Sequence, residues 1–216
     1  MKTRLAWCLA LILAVLCSAG CRSAVYSTYE KFGIHKRDLL KDAVEDARDD
    51  QMEASEQFKD ALTRIKELYQ FDGGNLEKTY NALKRDFERS ERKARDVQSR
   101  IKKVETVAGD LFAEWEREFK DISSADLRER SRRQLLQTRD RYDNLLRSLK
   151  RAERSMEPVL TQFRDHVLYL KHNLNAEAIG AIRGEALDIQ NEISQLIKEM
   201  NTAIAEADKF LRTLPD

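Results

Sequence analysis

From Leu76 to Trp115, apolar or small residues recur every three or four positions without a break: Leu76, Tyr80, Leu83, Phe87, Ser90, Ala94, Val97, Ile101, Val104, Ala108, Leu111 and Trp115. A strand would bury every second residue. A spacing of three and four sustained this long describes one helix with a narrow apolar stripe, and such a stripe is hidden only by packing lengthwise against other helices. Three further blocks repeat the pattern. The first runs Leu40, Val44, Ala47, Gln51, Ala54, Phe58, Ala61, Ile65, Leu68. The third runs Tyr142, Leu145, Leu149, Ala152, Met156, Val159, Phe163, after a less regular lead-in from Leu127. The fourth runs Ile182, Ala186, Ile189, Ile193, Leu196, Met200, Ala203, Ala207.

The breaks between blocks have local causes. Asp72-Gly73-Gly74-Asn75 stops one helix on glycines and starts the next on an Asn cap. Ser123-Ser124-Ala125-Asp126 has the form of a capping box. Asn173-Leu174-Asn175, with Glu177 following, supplies a cap and an acidic first turn. Connections this short force consecutive helices to run antiparallel. The expected fold is therefore all-α: an elongated antiparallel bundle of four long helices with coiled-coil-like heptad packing. The helices fall at 36–70, 76–121, 125–173 and 176–212, in one domain over 36–216. The middle helices span about 70 Å at 1.5 Å per residue. The outer two are shorter, so one end of the rod should be two helices thick. Pro158, inside the third block, predicts a kink or a helix restart near Met156.

Charge abundance, 36% of residues, raises disorder as a competing reading. It fails on a net charge of only +1 and on the strict apolar spacing. Oppositely charged residues four apart (Glu88–Arg92, Glu91–Arg95, Asp96–Arg100, Glu116–Lys120, Asp126–Arg130, Glu129–Arg133) add roughly 0.2–0.5 kcal/mol each to exposed helix faces. A near-neutral total gives no case for nucleic-acid binding. The distribution is uneven, however. Residues 38–67 hold 10 acidic and 5 basic side chains, and residues 128–154 hold 10 basic and 4 acidic. Either the two stretches pack side by side, or Arg128, Arg130, Arg132, Arg133, Arg147 and Arg151 present a basic face to an anionic lipid, polymer or partner.

The N-terminus reads as a secretion signal: Lys2 and Arg4, then apolar Leu5–Leu16, then small Ser18-Ala19-Gly20. Its uncharged stretch is shorter than the roughly 17–25 residues a membrane span needs. Ala19-Gly20-Cys21 resembles the end of a bacterial lipobox, with Ser18 where Leu is usual. That makes 1–20 a signal peptide, Cys21 the lipidation site and 21–35 a tether. An ordinary cleaved signal and an uncleaved anchor are the competing readings, and both also place the body outside the cytoplasm. Arg22 after the cysteine favours the outer membrane, if the enteric sorting rule applies. Cys8 and Cys17 fall in the leader, so the mature body carries no cysteine beyond Cys21 and can form no internal disulfide. Tyr26, Tyr29 and Phe32 would lie at the lipid interface or against the bundle end.

No catalytic pattern emerges. His166 and His172 are six apart, which does not put them on one helix face as a metal pair. G-x-S-x-G and P-loop motifs are absent. Acid pairs such as Asp49-Asp50 are solvated helix faces at this charge density, and Gly180 with Gly184 reads as close helix approach. No cofactor, metal site or catalytic residue is expected.

The chain resembles the domain-of-unknown-function family 2959 of bacterial lipoproteins. The resemblance is carried by Lys36-Arg37-Asp38 through Asp46-Ala47-Arg48-Asp49, Gln57-Phe58-Lys59, Glu157-Pro158-Val159-Leu160, Phe163-Arg164-Asp165 and Tyr169-Leu170-Lys171-His172-Asn173-Leu174-Asn175-Ala176. It implies a helical envelope lipoprotein of Gram-negative bacteria and supplies no activity. The expected role is non-enzymatic: a periplasm-facing spacer, scaffold or partner-binding rod held by N-terminal acyl chains. An envelope protein or a second copy of the chain is the expected protein partner. The alternative is a stress-linked envelope protein that binds anionic lipid or polymer through the basic face.

Overall fold

The structure, a computed structural model, describes residues 35–70, 75–173, 180 and 186–214. Its elements are α1 (Lys36–Tyr69), α2 (Leu76–Asp121), α3 (Ala125–His172) and α4 (Ala186–Leu211). Each helix packs on its neighbours in the chain, and α4 closes a ring against α1. The pairings fix the directions. Lys36 meets Glu114, Asp46 meets Arg100, Glu53 meets Lys93 and Arg64 meets Asp86, so α2 descends as α1 rises. Arg164–Glu91 and Arg139–Glu116 do the same for α3 on α2, and Arg48–Asp208 joins α4 to α1. The molecule is an up-down-up-down four-helix bundle.

The apolar stripes form its axis. Every residue of the first block is buried, and so is every residue of the third from Tyr142 onward. On α2 the middle of the stripe is buried except at Ala94, which, like Leu76, Tyr80, Leu111 and Trp115, is only partly covered. At the Leu111–Trp115 end, α2 runs on past the start of α1 and the end of α4. In the fourth block, Ile189 through Ala207 is fully buried. Aromatic rings knit the layers edge to face: Phe87 with Phe163 at 5.5 Å, Phe112 with Tyr142 at 5.4 Å, and Tyr142 with Phe210 at 6.4 Å.

The helix ends follow their capping chemistry, with two changes from expectation. Asn75 accepts a 2.9 Å bond from the Lys78 amide, as an N-cap should. Ser124, not Ser123, caps α3 and accepts from the Leu127 amide at 3.4 Å. The third helical residue is therefore Leu127, and no acid stands there to return the second bond of a capping box. Asn173 closes α3, its side chain donating to the Tyr169 carbonyl at 3.0 Å. The helix does not restart at Pro158: α3 runs through it at an exposed position. The remaining cap and glycine features, Asp72–Gly74, Leu174–Ala176 and Gly184, lie outside the described residues.

The charged stretches do not pack side by side. Acidic α1 and basic α3 stand diagonally across the ring. The α1 carboxylates are met from α2: Arg100 reaches Asp50 at 2.7 Å and Asp46 at 3.0 Å, and Lys103 reaches Asp46 at 3.0 Å. Arg100 thus bonds across helices, where spacing alone paired it with Asp96.

Polar groups in the core are of three kinds. Asp86, 3% exposed at its side chain, is clamped by Arg64 at 3.2 Å and by Arg89. Tyr69 and His166 share a buried 3.2 Å hydrogen bond, which places His166 in the core and not at the seam edge. Of the two polar residues in the stripes, Ser90 donates to the Asp86 carbonyl at 2.9 Å, while the buried Gln51 amide has no hydrogen-bond partner among the described residues. Thr138 lines a cleft described below.

Tyr142 gives a pH signature. Burial, reinforced by the charges of Glu105 and Asp143, pushes its hydroxyl up to about 12 from 10.0. A folded-state value above the unfolded one contributes stability that is complete below pH 10 and lost as pH rises toward 12. At 1.36 kcal/mol per unit, the loss is on the order of 2 kcal/mol. Tyr142→Phe should flatten that part of the alkaline limb in urea titrations at pH 9–12. An unchanged limb would show that Tyr142 ionises as it does in the unfolded chain.

Candidate functional site

The length mismatch shapes one end of the bundle. α1 begins opposite Glu114, and α4 ends beside Tyr142 through Phe210. The end of α2 and the start of α3 continue past both as a two-helix hairpin. The hairpin is held by the Trp115 indole N–H donating to Ser131 at 2.9 Å and by Arg139–Glu116 at 2.7 Å. The Arg128 guanidinium donates to the Ile122 carbonyl at 3.3 Å and ties the turn.

Where the outer helices stop, a cleft of about 1090 Å³ opens. Its cations come from two elements: Lys36 and Arg37 from the first turn of α1, and Arg130, Arg133 and Arg141 from α3. The carboxylates on its wall are Glu114 and Glu118, and Lys36 already bonds Glu114. Leu111, Trp115 and Leu214 supply apolar surface. Five cations against two carboxylates, beside an indole and two leucines, suit an anionic group that carries an apolar body.

The six arginines singled out in the sequence are not one site. Arg130 and Arg133 line the cleft. They also reach Asp126 at 2.9 Å and Glu129 at 3.5 Å on their own helix. Arg128 serves the turn, and Arg132 leans on Glu129 at 3.6 Å. Arg147, which bonds Asn144 at 2.5 Å, lies four turns further along α3, about 20 Å away. Arg151 is exposed and makes no ion pair among the described residues. Cys21, Tyr26, Tyr29 and Phe32 lie outside the described residues. Sequence reasoning missed Arg37, Arg141, Trp115 and Leu214, which meet only because α1 and α4 close the ring. The inequality of the four block lengths was the one available signal.

Among the described residues no group of three His, Cys, Asp or Glu is placed to hold a metal ion, and His35 and His172 are exposed. No described helix is long and apolar enough to cross a membrane.

A family model described as "protein of unknown function (DUF2959)" matches residues 25–214. The chain belongs to the DUF2959 family. The match takes in all four helices and the cleft, together with ten residues ahead of His35. No curated protein and no solved structure matches the chain. For this DUF2959 protein, membership brings no activity.

Proposed function

We propose that this DUF2959 protein is a non-enzymatic envelope lipoprotein: a helical rod tethered through acyl chains on Cys21, facing the periplasm and serving as a spacer or partner-binding scaffold. The observation that carries this reading is the position of His35. It stands at the cleft end of the bundle, so the segment leading from Cys21 delivers its tether to that end. Thirteen residues, 22–34, reach at most about 45 Å when extended. The hairpin runs seven residues past Glu114, about 10 Å. A bilayer holding Cys21 is therefore within reach of the hairpin end, while the opposite end is about 70 Å distant and free for an envelope partner or a second copy. The signal pattern of residues 1–20, the outer-membrane preference read from Arg22 and a continuous apolar core agree with this role.

The test is the intact mass of the protein extracted from membranes, wild type beside Cys21→Ala. The wild type should carry the mass of residues 21–216 plus acyl groups. Cys21→Ala should lose the acyl mass and leave the membrane fraction with its helical circular dichroism unchanged. A wild-type mass that retains residues 1–20 and lacks acyl groups would overturn the reading.

A further inference from the structure

We propose that the cleft binds the phosphate headgroup of an anionic phospholipid, with Arg37, Arg133 and Arg141 around the phosphate and Trp115 and Leu214 against the glycerol and upper acyl chain. This rests on the tethered reading above, which puts the cleft beside a bilayer. Three observations select this ligand.

The first is charge. Lys36 is neutralised by Glu114, but Arg141 has no carboxylate partner among the described residues. The partners of Arg130 and Arg133 are exposed acids one turn away on the same helix. Exposed pairs of that kind are worth about 0–1 kcal/mol, so a phosphate can replace them at little cost. Guanidinium matches phosphate geometry with paired N–H donors.

The second is an unmet donor. The Nε–H of Arg37 is covered and makes no hydrogen bond among the described residues, although the side chain as a whole is 41% exposed; Asp38 meets it only as an ion pair at 3.7 Å. A buried donor without an acceptor is costly, and a phosphate oxygen supplies one.

The third is the lining and size. An inorganic anion needs no indole or leucine. A lipid headgroup does, because its glycerol and first methylenes must lie against something apolar, and Trp suits the boundary between headgroup and chain. The volume, about 1090 Å³, stands just above the roughly 300–1,000 Å³ of ligand pockets and admits more than a free phosphate.

The experiment uses the full chain with Cys21→Ala and Trp7→Phe, which makes Trp115 the sole tryptophan and its emission a reporter inside the cleft. Dihexanoyl phosphatidylglycerol, titrated below its micellar concentration, should shift Trp115 emission saturably. Dihexanoyl phosphatidylcholine and inorganic phosphate should not. Arg133→Gln with Arg141→Gln should weaken the response at least about tenfold, as loss of charge-assisted bonds does. Arg151→Gln, outside the cleft, should leave it unchanged, and Arg141→Lys should retain most of it. These side chains are exposed, and circular dichroism checks that each variant stays folded. Equal responses to the two lipids, an equal response to inorganic phosphate, a flat titration, or an undiminished response in the double variant would each overturn the proposal. Acyl groups on Cys21 with a flat titration would leave the tether standing and remove the cleft. A saturating titration with no acyl groups on Cys21 would do the reverse.

Discussion

Phe163→Ala should lower the unfolding free energy by about 3–5 kcal/mol, the range for deleting a fully buried aromatic ring. Phe163 has no exposed surface and meets Phe87 edge to face at 5.5 Å. Neither ring can swing into the space left behind, because each is held in a seam fixed by residues three and four positions away. At roughly 2–4 °C per kcal/mol for a domain of this size, the midpoint should fall by on the order of 10 °C. Thermal unfolding followed at 222 nm reads this directly. Phe163→Leu, which keeps most of the volume, should cost much less. A loss under about 1 kcal/mol for the alanine variant would mean that the α2–α3 seam can collapse onto the gap, and that the packing around Phe87 is looser than described.

The second large effect concerns Asp86, a carboxylate in a layer otherwise built from Leu83, Phe87 and Ser90. It is buried, but its two arginines are not: Arg64 is 40% and Arg89 is 53% exposed. The consequences of mutation are therefore asymmetric. Removing the acid frees two guanidinium groups that turn outward into water. Removing both arginines strands a charge in the core, where breaking a buried pair costs about 3–5 kcal/mol. Arg64→Met with Arg89→Met should thus be strongly destabilising in urea at pH 7. Adding Asp86→Leu to that pair of changes should restore most of the loss, since a well-packed apolar side chain replaces a buried ion pair at little cost or with gain. If the triple variant is no more stable than the double, Asp86 is not the source of the penalty and the clamp has another role.

Much of this architecture is legible in the residues because helix packing is written in spacing. The stripe from Leu76 to Trp115 defines α2, and unequal block lengths already announce an end two helices thick. Asp86 was missed because it lies on the shoulder of the stripe, three positions after Leu83 and four before Ser90. Burial there depends on how far α1 leans over α2, and no period reports that. The burial of His166 was not legible for a related reason. It is buried by Tyr69 from a helix across the ring, a contact 97 positions away in sequence. Arg100 shows the limit of counting pairs: spacing offered Asp96 on its own helix, and the fold offered Asp46 and Asp50 at better geometry. The cleft was legible only in part. Arg130 and Arg133 stood out by local charge density. Arg37 and Arg141 gain their meaning from where α1 starts and α4 stops.

His35 and Leu214 line the same cleft, so the bundle brings the two ends of its sequence together. In terms of chain topology the domain is a nearly closed loop, with its seam at the site. A change at His35 and a change at Leu214 therefore act on the same cleft, beside Arg37 and Trp115. A label meant to leave the cleft untouched belongs at the far end of the rod, in the 71–74 connection between α1 and α2.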